Sequence, residues 1–210
     1  MKVVVATRNQ GKLEELRHLL PSTFDLLSLD DVGLSSPEET GSSFIENARL
    51  KTAPLVARGF AAIGDDSGLE VDALDGAPGV RSARFAGPDA TDHDNNRKLI
   101  EKLSRCDPSL GRRARFRSAV VFALPDGREI IGEGEVYGVI IDEPRGENGF
   151  GYDPHFEIQD PDAPLYAGRT MAELTLDEKN QISHRARAYR SLQPQIQNMA
   201  DGGFRSGLGT

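Results

Sequence analysis

Two carboxylates stand side by side at Asp65-Asp66, followed at once by Ser67-Gly68. Adjacent acids repel, so they need a cation, a shared proton or full solvation to coexist. The residues before them, Ala61, Ala62 and Ile63, are small or β-branched. They fit a short strand buried on both faces, which reads as a run rather than an alternation. Ligands of open α/β sheets sit just outside the carboxyl ends of such strands. The expectation is a strand that stops at the two acids, a turn made by Asp, Ser and Gly, and a second short strand beyond.

Three further stretches carry groups that could meet a charged substrate. Val3-Val4-Val5-Ala6 reads as a buried strand running into the polar loop Thr7-Arg8-Asn9-Gln10-Gly11-Lys12, after which Leu13, Leu16, Leu19 and Leu20 recur at helical spacing. A helix N-terminus fed by such a loop offers free N–H groups to phosphate, and Lys12 adds a charge. Neither a Walker A loop nor a Rossmann G-x-G-x-x-G occurs. Asn47 and Lys51 lie four apart on a helix expected to run to about Arg58, so both can point into one cleft. In Gly149-Phe150-Gly151-Tyr152-Asp153, glycines frame an aromatic ring of the kind on which a base can stack. Asp153 precedes Pro154, which favours an extended conformation for it. Thr175 with Glu178 opens another helix, on which Lys179, Ser183 and Arg187 fall on one stripe with His184 and Arg185 beside it. These side chains supply donors suited to reading carbonyl groups. No serine sits in a nucleophile elbow, and zinc-ligand spacing is absent.

The intervening sequence must hold these groups together. Residues 24–29 read as a second strand, and residues 30–41 as a loop carrying Glu38 and Glu39. Ser42 or Ser43 caps the next helix with Glu46 closing a capping box; Phe44, Ala48 and Leu55 face inward, and Pro54 is expected to kink or restart it. Residues 74–80 are dense in turn formers. Thr91 and Asp94 open a helix through Leu99, Ile100 and Leu103. Arg112, Arg113, Arg115 and Arg117 alternate towards solvent before a strand at residues 119–124, and Pro125-Asp126-Gly127 turns it into a hairpin with residues 129–131. Residues 136–141 form a further strand. This middle section reads as antiparallel, set into a βα chain.

A chain of 210 residues holds one α/β domain or two lobes sharing a sheet. Its net charge of -8 argues against a protein that tracks along a nucleic acid polymer, which needs a basic surface. A few lysines and arginines can still focus a small anion locally. The lone Cys106 forbids an internal disulfide and fits a reducing cytoplasm. The apolar run after Lys2 is too short for a signal peptide or a membrane span.

Six motifs occur in order: Thr7-x-Asn9-x-x-Lys12, Ser43-Phe44-Ile45-Glu46-Asn47-Ala48, Asp65-Asp66-Ser67-Gly68, Gly76-Ala77-Pro78-Gly79, Phe150-Gly151-Tyr152-Asp153 and Ser183-His184-Arg185. Together they resemble the inosine/xanthosine triphosphate pyrophosphatase family, over residues 3 to about 192. The resemblance implies an α/β fold with an elongated mixed β-sheet flanked by helices, in two lobes around a central active-site cleft. It implies a single two-lobed domain over residues 1–200, with residues 201–210 as a tail, and a homodimer. It implies Mg²⁺-dependent hydrolysis of ITP, dITP and XTP to the monophosphate and pyrophosphate. By motif, Thr7, Arg8, Asn9, Gln10, Gly11 and Lys12 cradle the triphosphate, Asp66 is general base and metal ligand, and Glu38 is the second metal ligand. Lys51 and Ser67 contact substrate, and Phe150, Gly151, Tyr152, Asp153, Lys179, His184 and Arg185 surround the nucleoside. Two rivals remain: a Maf-like pyrophosphatase for other modified nucleotides, disfavoured by Ser183-His184-Arg185, and a non-catalytic nucleotide-binding protein, which would be expected to lack Lys12, Asp66 or Glu38.

Overall fold

Alternation along the buried strands sets up the molecule. In the computed structural model, which describes residues 1–8, 16–17, 19–20 and 24–202, strand β1 (Lys2–Val5) is buried on both faces. Val3 and Val5 pack into one hydrophobic cluster with Ile63, Phe122, Tyr189 and Leu192, while Val4 turns to the other face against Leu29, Leu55 and Ala62. Strand β1 sits between β2 (Asp25–Leu27) and β3 (Ala61–Val71), parallel to both. The sheet then turns antiparallel through β4 (Arg113–Ala123), β5 (Glu129–Ile140) and β6 (Phe156–Ile158), in the order β2-β1-β3-β4-β5-β6. The result is the mixed sheet expected from the sequence.

Helices cover both faces. Helix α1 (Phe44–Val56) packs on β3 and β4; its N-cap is Ser43, whose side chain accepts from the Glu46 N–H. Glu46 itself closes on the N–H of Ser42, one residue before the cap, so the expected box is split between two serines. The helix runs as one span through Pro54, which lies near its end, where no restart is needed. Helix α2 (Asp92–Leu103) carries the expected Thr91–Asp94 box and buries Leu99 and Leu103 against Leu69, Phe116 and Phe156. Helices α3 (Leu176–Ile182) and α4 (His184–Gly202) follow, with α4 on the face of β4 and β5 opposite α1.

Three expectations fail here for physical reasons. The strand at Ala61 does not stop at the acids: β3 continues through Asp65, Asp66, Ser67 and Gly68 because β4 pairs with it residue by residue, Asp65 with Val120 and Asp66 with Ala119. Ladder pairing overrides local turn propensity. Residues 129–131 and 136–141 are one strand, β5, running through Gly132 and Gly134. A Cβ on Gly134 would stand 2.2 Å from the His184 carbonyl oxygen, so the glycine permits close approach of α4. Finally, Lys179, Ser183 and Arg187 do not share a stripe. Ser183 leaves the helix with ψ 151°, ends α3, and its hydroxyl accepts from the Ala186 N–H to begin α4. Arg187 is thereby turned away to Asp160 and the Glu135 carbonyl.

Candidate active site

Because β3 is continuous, its side chains alternate, and Asp65 and Asp66 point to opposite faces of the sheet. Both are buried. Asp66 faces α1: Asn47 Nδ2 donates to its Oδ2 at 3.0 Å and Lys51 Nζ to its Oδ1 at 2.8 Å. The i,i+4 pair read from the sequence thus converges on one carboxylate. Lys51 also donates to the Asp65 carbonyl at 2.9 Å and pairs with Glu39 at 2.7 Å. Burial is the largest influence on Lys51 and pulls its pKa down. The charges of Asp66 and Glu39 together outweigh it and hold the ammonium above its ordinary value.

Asp65 faces α4, where Arg185 Nε donates to its Oδ2 at 2.5 Å. Arg185 is fully buried and donates also to Ser67 Oγ at 2.9 Å, since Ser67 is two residues on and shares that face. The guanidinium lies 5.7 Å from the Phe150 ring centroid and the Lys179 ammonium 4.6 Å from it. Phe150 is presented by Gly149 and Gly151, both at positive φ. Asp153 Oδ2 accepts from the Phe150 N–H at 2.9 Å and from Lys179 at 2.7 Å. Asp153 is not extended, as its place before Pro154 suggested. It begins a 3-10 turn with the proline at the second position, and those two donors fix its carboxylate.

Between these groups lies a cavity of about 150 Å³, lined among others by Glu39, Asp66, Ser67, Phe150, Lys179 and His184. Its far wall joins three residues read from the sequence, Gly151, Tyr152 and His184, to four that the sequence did not single out: Ser82, Asp92, Asn96 and Phe116. His184 stacks on Phe116 with centroids 4.9 Å apart. The Tyr152 hydroxyl donates to the Ser82 carbonyl at 2.8 Å, and burial pushes that phenol well above its ordinary pKa, helped by the charge of Asp92. Gly151 is held from both sides of its peptide, by Asp92 Oδ2 on its N–H and Asn96 Nδ2 on its carbonyl.

The remaining expected residues fall as follows. The parallel register, Val5 with Ile63, brings the chain out of β1 beside the two acids. There Thr7 is half-buried, and Arg8 is exposed and pairs with Asp30 at 3.6 Å. Asn9, Gln10, Gly11 and Lys12 lie outside the described residues, as do residues 203–210 of the tail. Glu38 is exposed; the acid that the loop brings to Lys51 and the cavity is Glu39. Ser183 is buried at the junction of α3 and α4, and Arg185 stands behind the cavity wall. The donors on the wall from this region therefore come from Lys179 and His184, and not from the whole Ser183-His184-Arg185 turn.

Two carboxylate oxygens, on Asp66 and Glu39, meet at a single ammonium. The donor type fits Mg²⁺, which takes one or two carboxylates and completes its shell with water and phosphate. Among the described residues, no cluster of three or more His, Cys, Asp or Glu could hold a metal. A cation here would accordingly draw on substrate oxygens as well.

Residues 3–195 match the Ham1 family. The chain belongs to that family. A dITP/XTP pyrophosphatase of Thermus thermophilus is 48% identical over 194 residues, spanning 91% of this chain and 90% of that protein. One from Geobacter sulfurreducens is 47% identical, spanning 93% and 96%. Among solved structures, a HAM1 protein from Coxiella burnetii superposes with a TM-score of 0.84 at 38% identity, over 94% of this chain and 99% of that one. A Mycobacterium abscessus nucleoside-triphosphatase / dITP/XTP pyrophosphatase gives 0.71 at 44%, over 92% and 100%. The match to the Ham1 family spans the six motifs. No helix among the described residues of this Ham1 chain is long and apolar enough to cross a membrane.

Proposed function

We propose that this chain hydrolyses non-standard purine nucleoside triphosphates, ITP, dITP and XTP, to the monophosphate and pyrophosphate, and so removes them from the nucleotide pool. The observation that carries this reading is one cavity with two chemically distinct ends. An aromatic ring beside Lys179 and His184 suits a flat base with carbonyl groups, and the Asp66–Lys51–Glu39 cluster suits a polyphosphate with its cation. The names of the Thermus and Geobacter relatives point the same way.

In the reaction, a water oxygen bonds to the α-phosphorus, the bridging α–β P–O bond breaks, and pyrophosphate leaves with the bridging oxygen. Asp66 is the carboxylate for the water's proton or for the cation. Lys51 and Asn47 fix it in one orientation. Asp66 and Glu39 would hold Mg²⁺, which polarises phosphoryl oxygens and lowers the pKa of bound water. Phe150 stacks the base, and Asp153 holds Lys179 in place beside it. Residues 7–12 cradle the phosphates. The same reading includes a homodimer and a cytoplasmic setting.

The test is pyrophosphate release over a panel of ITP, dITP, XTP, GTP and ATP with Mg²⁺. Release of pyrophosphate and monophosphate from the first three supports the reading. Tight nucleotide binding without any release would instead make the chain a nucleotide-binding protein.

A further inference from the structure

Arg84 ends a 3-10 turn, Gly79–Arg84, that touches both ends of the cavity. Its Nη1 meets Glu39 Oε2 at 3.1 Å and its Nη2 donates to the Glu39 main-chain oxygen at 2.8 Å. The other carboxylate oxygen of Glu39 takes Lys51, which continues to Asp66. The turn is itself rigidly placed. Ser82 Oγ accepts from the Leu69 N–H of β3 and donates to the Gly79 carbonyl, while the Ser82 carbonyl takes the Tyr152 hydroxyl. The Ala83 carbonyl takes Asn95 Nδ2. Two residues past Glu39, the Gly41 N–H donates to Asn47 Oδ1 at 2.7 Å, and the Nδ2 of the same amide donates to Asp66. The acidic loop is therefore clamped at residues 39 and 41, and both clamps lead back to Asp66.

We propose that Arg84 is a positioning residue. Its forked hold on the side chain and main chain of Glu39 seats the acidic loop against Lys51 and Asp66, and so sets the second carboxylate where a substrate-borne divalent cation can use it. Two carboxylates brought to one place repel, and Lys51 alone is a point charge with no directional preference. Arg84 adds a second positive charge with planar, two-acceptor geometry. Glu38, with no such hold, stays exposed. The inference takes its ligand from the pyrophosphatase reading and its geometry from the contacts alone.

The experiment follows Mn²⁺ binding by electron paramagnetic resonance, in protein saturated with inosine monophosphate. It compares wild type, Arg84→Ala and Arg84→Lys, with monophosphate affinity by calorimetry and thermal melting on each. Arg84→Ala should lose Mn²⁺ affinity by ~10–100-fold, the usual effect of removing a residue that orients a metal ligand, while monophosphate affinity holds. Arg84→Lys should lose less, because it restores charge but not the fork. A folded Arg84→Ala protein with wild-type Mn²⁺ affinity overturns the proposal, as does equal loss of Mn²⁺ and monophosphate affinity, which marks general loosening. Should Arg84→Ala fail to fold, Arg84→Lys and Arg84→Gln decide by the same readout. A wild type that binds no Mn²⁺ also overturns it. Failure to hydrolyse ITP strikes the functional reading alone, since the Mn²⁺ comparison still decides Arg84.

Discussion

Asp65 and Asp66 are neighbours in the chain, yet their carboxylates lie on opposite faces of β3, each with its own cation: Arg185 for Asp65 and Lys51 for Asp66. The repulsion expected between adjacent acids is relieved by the pleat rather than by a shared proton. It also divides their work. Asp65 is sealed, with both side chains of its ion pair almost fully buried, whereas Asp66 lines the cavity.

Asp65→Asn and Asp66→Asn should therefore fail differently. Removing one partner of a buried ion pair leaves the other uncompensated, at about 3–5 kcal/mol, so Asp65→Asn should shift the denaturant midpoint strongly. Asp66→Asn should cost less stability, because Glu39 still pairs with Lys51, and should cut turnover by at least ~10²-fold. Urea unfolding and kcat on the two proteins make the comparison. An active, folded Asp66→Asn enzyme would remove Asp66 from the chemistry.

Lys51 gives a pH prediction. Its folded pKa is raised, so its contribution to stability is complete below the unfolded value near 10.5 and is lost as pH climbs through the higher folded value. Melting temperature measured from pH 8 to 12 should fall more steeply at the alkaline end in wild type than in Lys51→Met, which has no ammonium to lose. Parallel curves would mean that the Asp66–Lys51–Glu39 cluster contributes nothing through this proton.

Much of this arrangement was legible because its signals are local. The caps at Ser43, Thr91 and Thr175 need only three or four residues to be recognised, and the i,i+4 spacing of Asn47 and Lys51 is enough to put them on one face. What stayed hidden depends on partners distant in sequence. Asp-Ser-Gly is a turn by composition, and only the β4 ladder, some fifty residues on, keeps it extended and so assigns each acid a face. The choice of Glu39 over Glu38 rests on Arg84 and Lys51. Asp153 escaped because Pro154 restricts its predecessor only on average, and a proline also fits the first turn of a helix.

Gly134 tests how closely α4 must approach. Its missing side chain faces backbone atoms, the His184 carbonyl oxygen at 2.2 Å and the Ala188 N at 2.4 Å, and backbone cannot rotate away. Gly134→Ala should push the start of α4 off β5, costing about 1–3 kcal/mol as overpacking does. It should also lower activity, since His184 and Arg185 ride on that turn. A wild-type melting temperature with full activity would show that the helix start yields freely.

Base choice follows from where the donors stand. Hypoxanthine and xanthine carry a carbonyl at position 6, an acceptor, whereas adenine carries an amino group, a donor. Lys179 and His184 face the cavity while Arg185 is committed behind it to Asp65 and Ser67. The side chain predicted to read the carbonyl is therefore Lys179, and Arg185→Ala should appear first as lost stability. Sites built on such hydrogen bonds reject the mismatched analogue by ~10⁴-fold or more, because buried groups are left unpaired. Wild type should prefer ITP over ATP by that order in kcat/KM. Lys179→Met should narrow the preference by lowering ITP rather than by raising ATP. GTP shares the 6-carbonyl, so its value should fall in step with ITP and leave their ratio unmoved, which makes it the internal control. Comparable wild-type values for ITP and ATP would refute the readout altogether. An unchanged ITP-to-ATP ratio in a folded Lys179→Met protein would pass the role to His184.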